Sequence, residues 1–297
     1  NIFQFNLIHD IDTGGTGGGI CCWDYDGGSN YNQILNNTIY DCTADGVLYG
    51  ASNVAGLSNY GGIISNNVMY NLATKDGWNP SLEVVNGIGF TVSRNNITGR
   101  PPQYYGILIY SWNGADQYGH EILDNIVTGH YTCITAIADV NGGVYQGFSK
   151  VASASLRDLT ISGNDVSGAN YHGIQLRAIP DGGTATVSDC TISNNMVHDN
   201  GYDGVSLLAG VNDTVMFCNN IYGNGRRGIS IGAGVDATTI EVHYNNIEDN
   251  TVYGVYNVGT GIIDARYNWW GDASGPYHAT SWLYMGNPYG PHYGLGD

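Results

Sequence analysis

Ile192-Ser193-Asn194-Asn195-Met196-Val197 holds a frame, apolar-x-x-Asn-x-apolar, that the chain repeats from end to end. It recurs as Phe3…Asn6…Ile8, Ile34…Asn37…Ile39, Ile64…Asn67…Met69, Val92…Asn95…Ile97, Ile122…Asn125…Val127, Ile161…Asn164…Val166, Met216…Asn219…Ile221, Val242…Asn245…Ile247 and Ala265…Asn268…Trp270. Successive Asn residues of these ten copies are 31, 30, 28, 30, 39, 31, 24, 26 and 23 apart. A recurrence of that size marks supersecondary units stacked one on the next, each touching only its neighbours.

The apolar residues around each Asn have strand spacing, not helix spacing. Nine residues after most of the Asn residues comes a second signal, Gly-apolar-x-apolar. It stands at Gly46-Val47-Leu48, Gly106-Ile107-Leu108-Ile109, Gly173-Ile174-Gln175-Leu176, Gly204-Val205-Ser206-Leu207, Gly228-Ile229-Ser230-Ile231 and Gly254-Val255-Tyr256. Each unit therefore carries two or three short strands joined by tight corners. Gly and Asn are expected at those corners because both tolerate positive φ. Parallel strands stacked turn on turn lie about 4.8 Å apart, so the Asn side chains should bond along the stack as amide ladders do.

In this pattern the chain resembles the right-handed parallel β-helix of pectate-lyase-like and NosD-like proteins, over nearly its whole length. Asn268-Trp269-Trp270-Gly271-Asp272-Ala273-Ser274-Gly275-Pro276 resembles the final coil of β-helix regions in archaeal and bacterial cell-surface proteins. The resemblance implies an all-β parallel β-helix solenoid of about ten coils, one per Asn. It implies one domain over residues 1–297, with 268–297 as terminal coil and C-terminal extension, at an extracellular or cell-surface location. The chain opens inside its first repeat and closes on Gly294-Leu295-Gly296-Asp297, with no capping element at either end. Solenoids need caps, so the expectation is a segment of a longer secreted protein, or ends that self-assemble on other chains.

There are 26 acidic and 9 basic side chains, a net charge of −17. A nucleic-acid partner is excluded, since phosphate binding needs clustered Lys and Arg. No apolar run approaches a membrane span. The acidic balance suits calcium-rich surroundings, and calcium is the one cofactor it suggests. Cys21, Cys22, Cys42, Cys133, Cys190 and Cys218 fall at different phases of the repeat. They are expected to be small buried side chains, with an inter-coil disulfide as the alternative, and not a zinc site.

The residue after each Gly should point inward and the residue before it outward. That gives an outer column Asp45, Asp76, Tyr105, Thr132, His172, Asp203, Arg227 and Tyr253, with a second column through Gln175, Ser206 and Ser230 and a third through Tyr110 and Arg177. His172, Gln175, Arg177, Asp203, Ser206 and Arg227 thus become neighbours. A carboxylate beside an imidazole can pass a proton near neutral pH, and guanidinium would neutralise a uronate or sulfate. The same residues could instead form a surface charge ladder.

His172, Asp203, Arg177 and Arg227 are the candidate catalytic residues. Long insertions near 50–62, 78–90, 111–120 and 139–156 should wall a groove, and Tyr105, Tyr110, Trp112, Trp78 and Gln175 are the candidate substrate-binding residues. Two-carboxylate chemistry would pair Asp203 with Asp139 or Asp181, or Asp45 with Asp76. The expected partner is an acidic polysaccharide, bound and cleaved by a hydrolase or lyase outside the cell. A non-catalytic cell-surface or sheath subunit is the alternative.

Overall fold

The computed structural model describes residues 1–12, 18–24, 30–51, 59–73, 79–100, 103–112, 115–140, 153–273 and 275–276. Apart from one 3-10 turn at Ala237–Thr239, every regular element described is a β-strand. Three sheets of nine strands run through the described coils and a fourth of five strands covers the middle ones, each strand pairing in parallel with its counterparts in the neighbouring coils. The first sheet runs from Ile2–Gln4 to Ile240–His243, the second from Leu7–His9 to Asn246–Glu248, and the third from Ile20–Asp24 to Tyr253–Asn257. The fourth holds Asn59–Tyr60, Gly87–Ile88, Asp116–Tyr118, Ser153–Arg157 and Thr184–Ser188. This is a parallel β-helix.

The ten Asn residues do mark one corner, between the first and second sheets. Each Nδ2 donates to the Oδ1 of the next coil's Asn at 2.8–3.0 Å, from Asn6 through to Asn268. The same Oδ1 also accepts the backbone N–H of the Asn below it, as Asn125 does from Asn95 at 2.9 Å. Every buried amide in the column is thereby satisfied.

The corner's left-handed residue is not the ladder Asn but the one before it. Phe5, Asn36, Asn66, Arg94, Asp124, Gly163, Asn194, Cys218, Tyr244 and Tyr267 all have φ between 53° and 71°. For an L side chain that conformation costs on the order of 1–2 kcal/mol, and the hydrogen bonds of the Asn that follows hold it there.

The glycines of the second signal also serve a purpose other than the expected one. Gly173, Gly204 and Gly228 are not among the positive-φ residues. They sit where one coil's backbone meets the next. A Cβ on Gly173 would stand 2.7 Å from the Gly204 carbonyl oxygen, and one on Gly204 2.7 Å from that of Gly228. Gly204→Ala should therefore lower the urea midpoint, by about 1–3 kcal/mol in free energy, because the obstacle is backbone. An unchanged midpoint would mean that the coils can separate there freely.

Coil three departs from the expected frame. Val47 pairs with Leu82, which puts Ser81 at the glycine position and Pro80, not Asp76, in the outer column. Asp76 lies outside the described residues.

The core is the stack of inward side chains, Ile34, Ile64, Val92, Ile122, Ile161, Ile192, Met216 and Val242 along the first sheet and their counterparts on the other sheets. A second apolar cluster lies on the outer face of the third sheet, comprising Val85, Leu108, Tyr110, Trp112 and Ile137.

Candidate functional site

The third sheet places the candidate residues. Ile134, Ile174, Val205 and Ile229 are paired in register across four coils. Two residues back along each strand stand Thr132, His172, Asp203 and Arg227. Backbone bonds confirm the alignment, with Cys133 N donating to His172 O at 3.3 Å and Gly173 N to Asp203 O at 3.1 Å. Gly204 and Val205 both face inward, so the alternation breaks at the glycine and the preceding side chain turns to the outer face.

His172, Asp203 and Arg227 then converge. His172 Nδ1 and Arg227 Nη1 each lie 3.7 Å from Asp203 Oδ2. Arg227 Nη1 donates to Ser230 Oγ at 3.0 Å, and the guanidinium lies 3.7 Å over the ring of Tyr256. Gln175 and Ser206 pair with each other, and Ser206 with Ser230, in the adjoining outer column. The cluster is not the open surface array that the sequence suggests: His172 is 3%, Asp203 1% and Arg227 9% exposed.

Burial leaves polar groups without partners. His172 Nδ1, Asp203 Oδ1 and Arg227 Nε have no hydrogen-bond partner. Unsatisfied buried polar atoms are costly. Three of these atoms fall in one cluster, from three successive coils.

The titration behaviour follows from the same burial. Desolvation pushes Asp203 up to about 6, against the pull of Arg227 and Ser230. His172 falls to about 4, first through burial and then through repulsion from Arg227 and Arg226. At neutral pH the site therefore holds a carboxylate, a neutral imidazole and a guanidinium. The 3.7 Å approach of His172 to Asp203 is then not an ion pair, and it is too long for a hydrogen bond.

The other candidates are dispersed. Arg177 is exposed, one column further along the third sheet. Tyr105 is half-buried, and burial pushes its phenol up to about 12 while Arg177 pulls the other way. Tyr110 and Trp112 are 0% and 1% exposed. They pack in the outer apolar cluster, and Tyr110 Oη donates to Asp139 Oδ2 at 2.9 Å, so neither presents the open ring expected of it. Trp78 lies outside the described residues.

The Asp203–Asp139 pair fails on register. Asp139 pairs with Ile179, seven residues beyond the column of Thr132 and His172, so the two carboxylates are about 23 Å apart along the strand direction. Asp181 lies beyond Ile179 again.

Two features of the structure were not expected from the sequence. A second amide ladder, Asn200–Asn224–Asn250, links successive Nδ2 and Oδ1 atoms at 2.9 Å. Its signal is Asn at the fifth position after the ladder Asn in three adjacent coils. The residues just before the outer column are Tyr104, Tyr131, Tyr171 and Tyr202, whose rings stack at 4.8, 5.2 and 4.6 Å. The Tyr171 ring centre is 4.1 Å from that of His172.

The six cysteines are free thiols, with Cys22, Cys42, Cys133 and Cys190 buried. Among the described residues no three His, Cys, Asp or Glu gather to hold a metal ion, and no helix is long and apolar enough to cross a membrane.

Residues 137–269 match the family described as right handed beta helix region. No curated protein matches the chain. Among solved structures, the A-module of mannuronan C-5 epimerase AlgE6 from Azotobacter vinelandii is 12% identical, with a TM-score of 0.54 over 80% of this chain and 64% of the module. DFA-IIIase from Arthrobacter chlorophenolicus is 13% identical over 78% of this chain and 58% of that one, with a TM-score of 0.37. The catalytic unit of an α-1,3-glucanase from Streptomyces thermodiastaticus is 14% identical over 83% of this chain and 47% of its own, with a TM-score of 0.30. This chain thus spans less than two thirds of each. The likeness shows the fold, and the protein is a right-handed parallel β-helix.

Proposed function

From a right-handed parallel β-helix that buries one carboxylate, one imidazole and one guanidinium together, we propose that the protein binds an acidic, uronate-bearing polysaccharide outside the cell and cleaves it by elimination. The observation that carries this is the convergence of His172 Nδ1 and Arg227 Nη1 on the buried Asp203 carboxylate, each 3.7 Å from Oδ2. Hydrolysis between two carboxylates needs them within about 9.5 Å, and the Asp139 pairing exceeds that. The epimerase module that shares this fold is also named for a polyuronate, mannuronan.

The chemistry follows from the charges. Arg227 holds the uronate carboxylate, which makes the hydrogen at C5 more acidic. With its proton on Nδ1, the nitrogen on the Asp203 side, His172 keeps the Nε2 lone pair as base. Nε2 takes the C5 proton. The C5–H electron pair becomes the C4=C5 double bond, and the C4–O bond breaks. The imidazolium, steadied by Asp203, returns its proton to the departing oxygen. Burial is the main cause that depresses His172; the bound anion offsets the smaller part that comes from Arg227 and Arg226, and so makes the imidazole more basic than in the free protein.

The test is incubation with uronate-rich and neutral polysaccharides, following reducing ends and the ultraviolet absorbance of unsaturated uronate. Both signals should rise together on the acidic polymers, and Asp272→Asn should retain them. Reducing ends without unsaturation would mean hydrolysis, and binding without product would leave a binding module; either would overturn the proposal.

A further inference from the structure

The tyrosine stack beside the site has no role in the elimination. Tyr104, Tyr131, Tyr171 and Tyr202 belong to four successive coils, all half-buried. The stack is closed at one end by Arg226, whose guanidinium lies 4.5 Å over the Tyr202 ring. From Tyr104 to Arg226 it spans about 19 Å at the rung spacing of parallel strands.

Its geometry decides what it can hold. A neutral sugar stacks on an aromatic face, but these faces are spent on one another. Besides those faces, each half-buried ring has its edges and its phenolic hydroxyl. Aromatic edges are the positive part of the quadrupole, and a hydroxyl can donate to a carboxylate. With Arg226 at the end, the strip is complementary to anions on a molecule whose net charge is −17.

We propose that the Tyr104–Tyr131–Tyr171–Tyr202–Arg226 strip is an extended binding site for an anionic glycan laid along the axis of the coils, several sugars long, and that it feeds the chain past His172. It rests on the reading of the His172 site as uronate-directed, and it adds the direction of the chain and the number of sugars engaged. The strip would make the protein select long polyuronates over short ones and over neutral chains.

The test is the affinity of oligouronates from dimer to octamer for the His172→Ala protein, which removes turnover. Affinity should climb with length and then level off once the strip is filled. Carboxyl-reduced oligomers of equal length should bind more weakly. Tyr131→Phe, which keeps the ring stack and deletes one hydroxyl, should weaken the octamer by about three- to tenfold and leave the dimer unchanged. Affinity independent of length, equal binding of reduced oligomers, or an octamer indifferent to Tyr131→Phe would overturn the proposal. Length-dependent binding alongside a wild-type protein that releases no unsaturated product would uphold the strip and remove the elimination chemistry.

Discussion

Asn125→Leu is expected to destabilise the fold by about 3–5 kcal/mol, a large share of what a domain has to lose. Asn125 is 0% exposed. Its Nδ2 donates to Val92 O and to Asn164 Oδ1, both at 2.9 Å. Its Oδ1 accepts from the backbone N and from Nδ2 of Asn95, again both at 2.9 Å. Leucine has a similar volume but leaves two donors and one carbonyl unpaired in a dry corner, and each such group costs about 1–3 kcal/mol. It also frees Asp124, which sits at φ 55°, from the ladder that holds it. Asn6 is the control. It lies on the end rung, is exposed, and bonds a ladder partner on one side only, so Asn6→Leu should cost far less. Urea unfolding of the two variants gives the comparison; equal losses would mean that the ladder decorates the corner without holding it.

His172→Ala should lower turnover of a polyuronate by about a hundred- to ten-thousandfold, the range for removal of a positioned acid–base group. The pH profile gives a finer readout. The active form needs Asp203 ionised, so the rate should rise with pH through about 6, the Asp203 pKa. Arg227 lowers that pKa. Arg227→Gln should therefore move the acid limb to higher pH, besides weakening binding. A limb that stays in place would separate Asp203 from the reaction. Both effects are read from kcat/KM on polymer between acid and neutral pH.

The fold was legible because its signal is repeated. One Asn frame carries little information, but ten in phase fix both the strand period and the stacking direction. The candidate site was legible for a related reason. The Gly frame aligned His172, Asp203 and Arg227 although they lie on different coils. The misreadings have physical causes. In coil three an insertion before Ser81 removes the glycine from the frame, and counting from Asp76-Gly77 lands on the wrong residue. Glycine suggested positive φ, whereas Gly173 and Gly204 are there for the contact between coils. Tyr110 and Trp112 face outward in register, yet a second apolar cluster encloses them. Strand alternation tells which face a side chain takes and not what covers that face. The tyrosine stack is hidden in the sequence because the four Tyr residues lie 27 to 40 apart and become neighbours only when four coils are laid side by side.

The most direct measurement is a crystal structure of the Asp203→Asn protein with a bound oligouronate. A uronate carboxylate should lie within about 3 Å of the Arg227 guanidinium, with C5 facing His172 Nε2 and the remaining sugars running along the coil axis past Tyr171 and Tyr131. An oligomer bound on another sheet, or one that leaves Arg227 untouched, would contradict it.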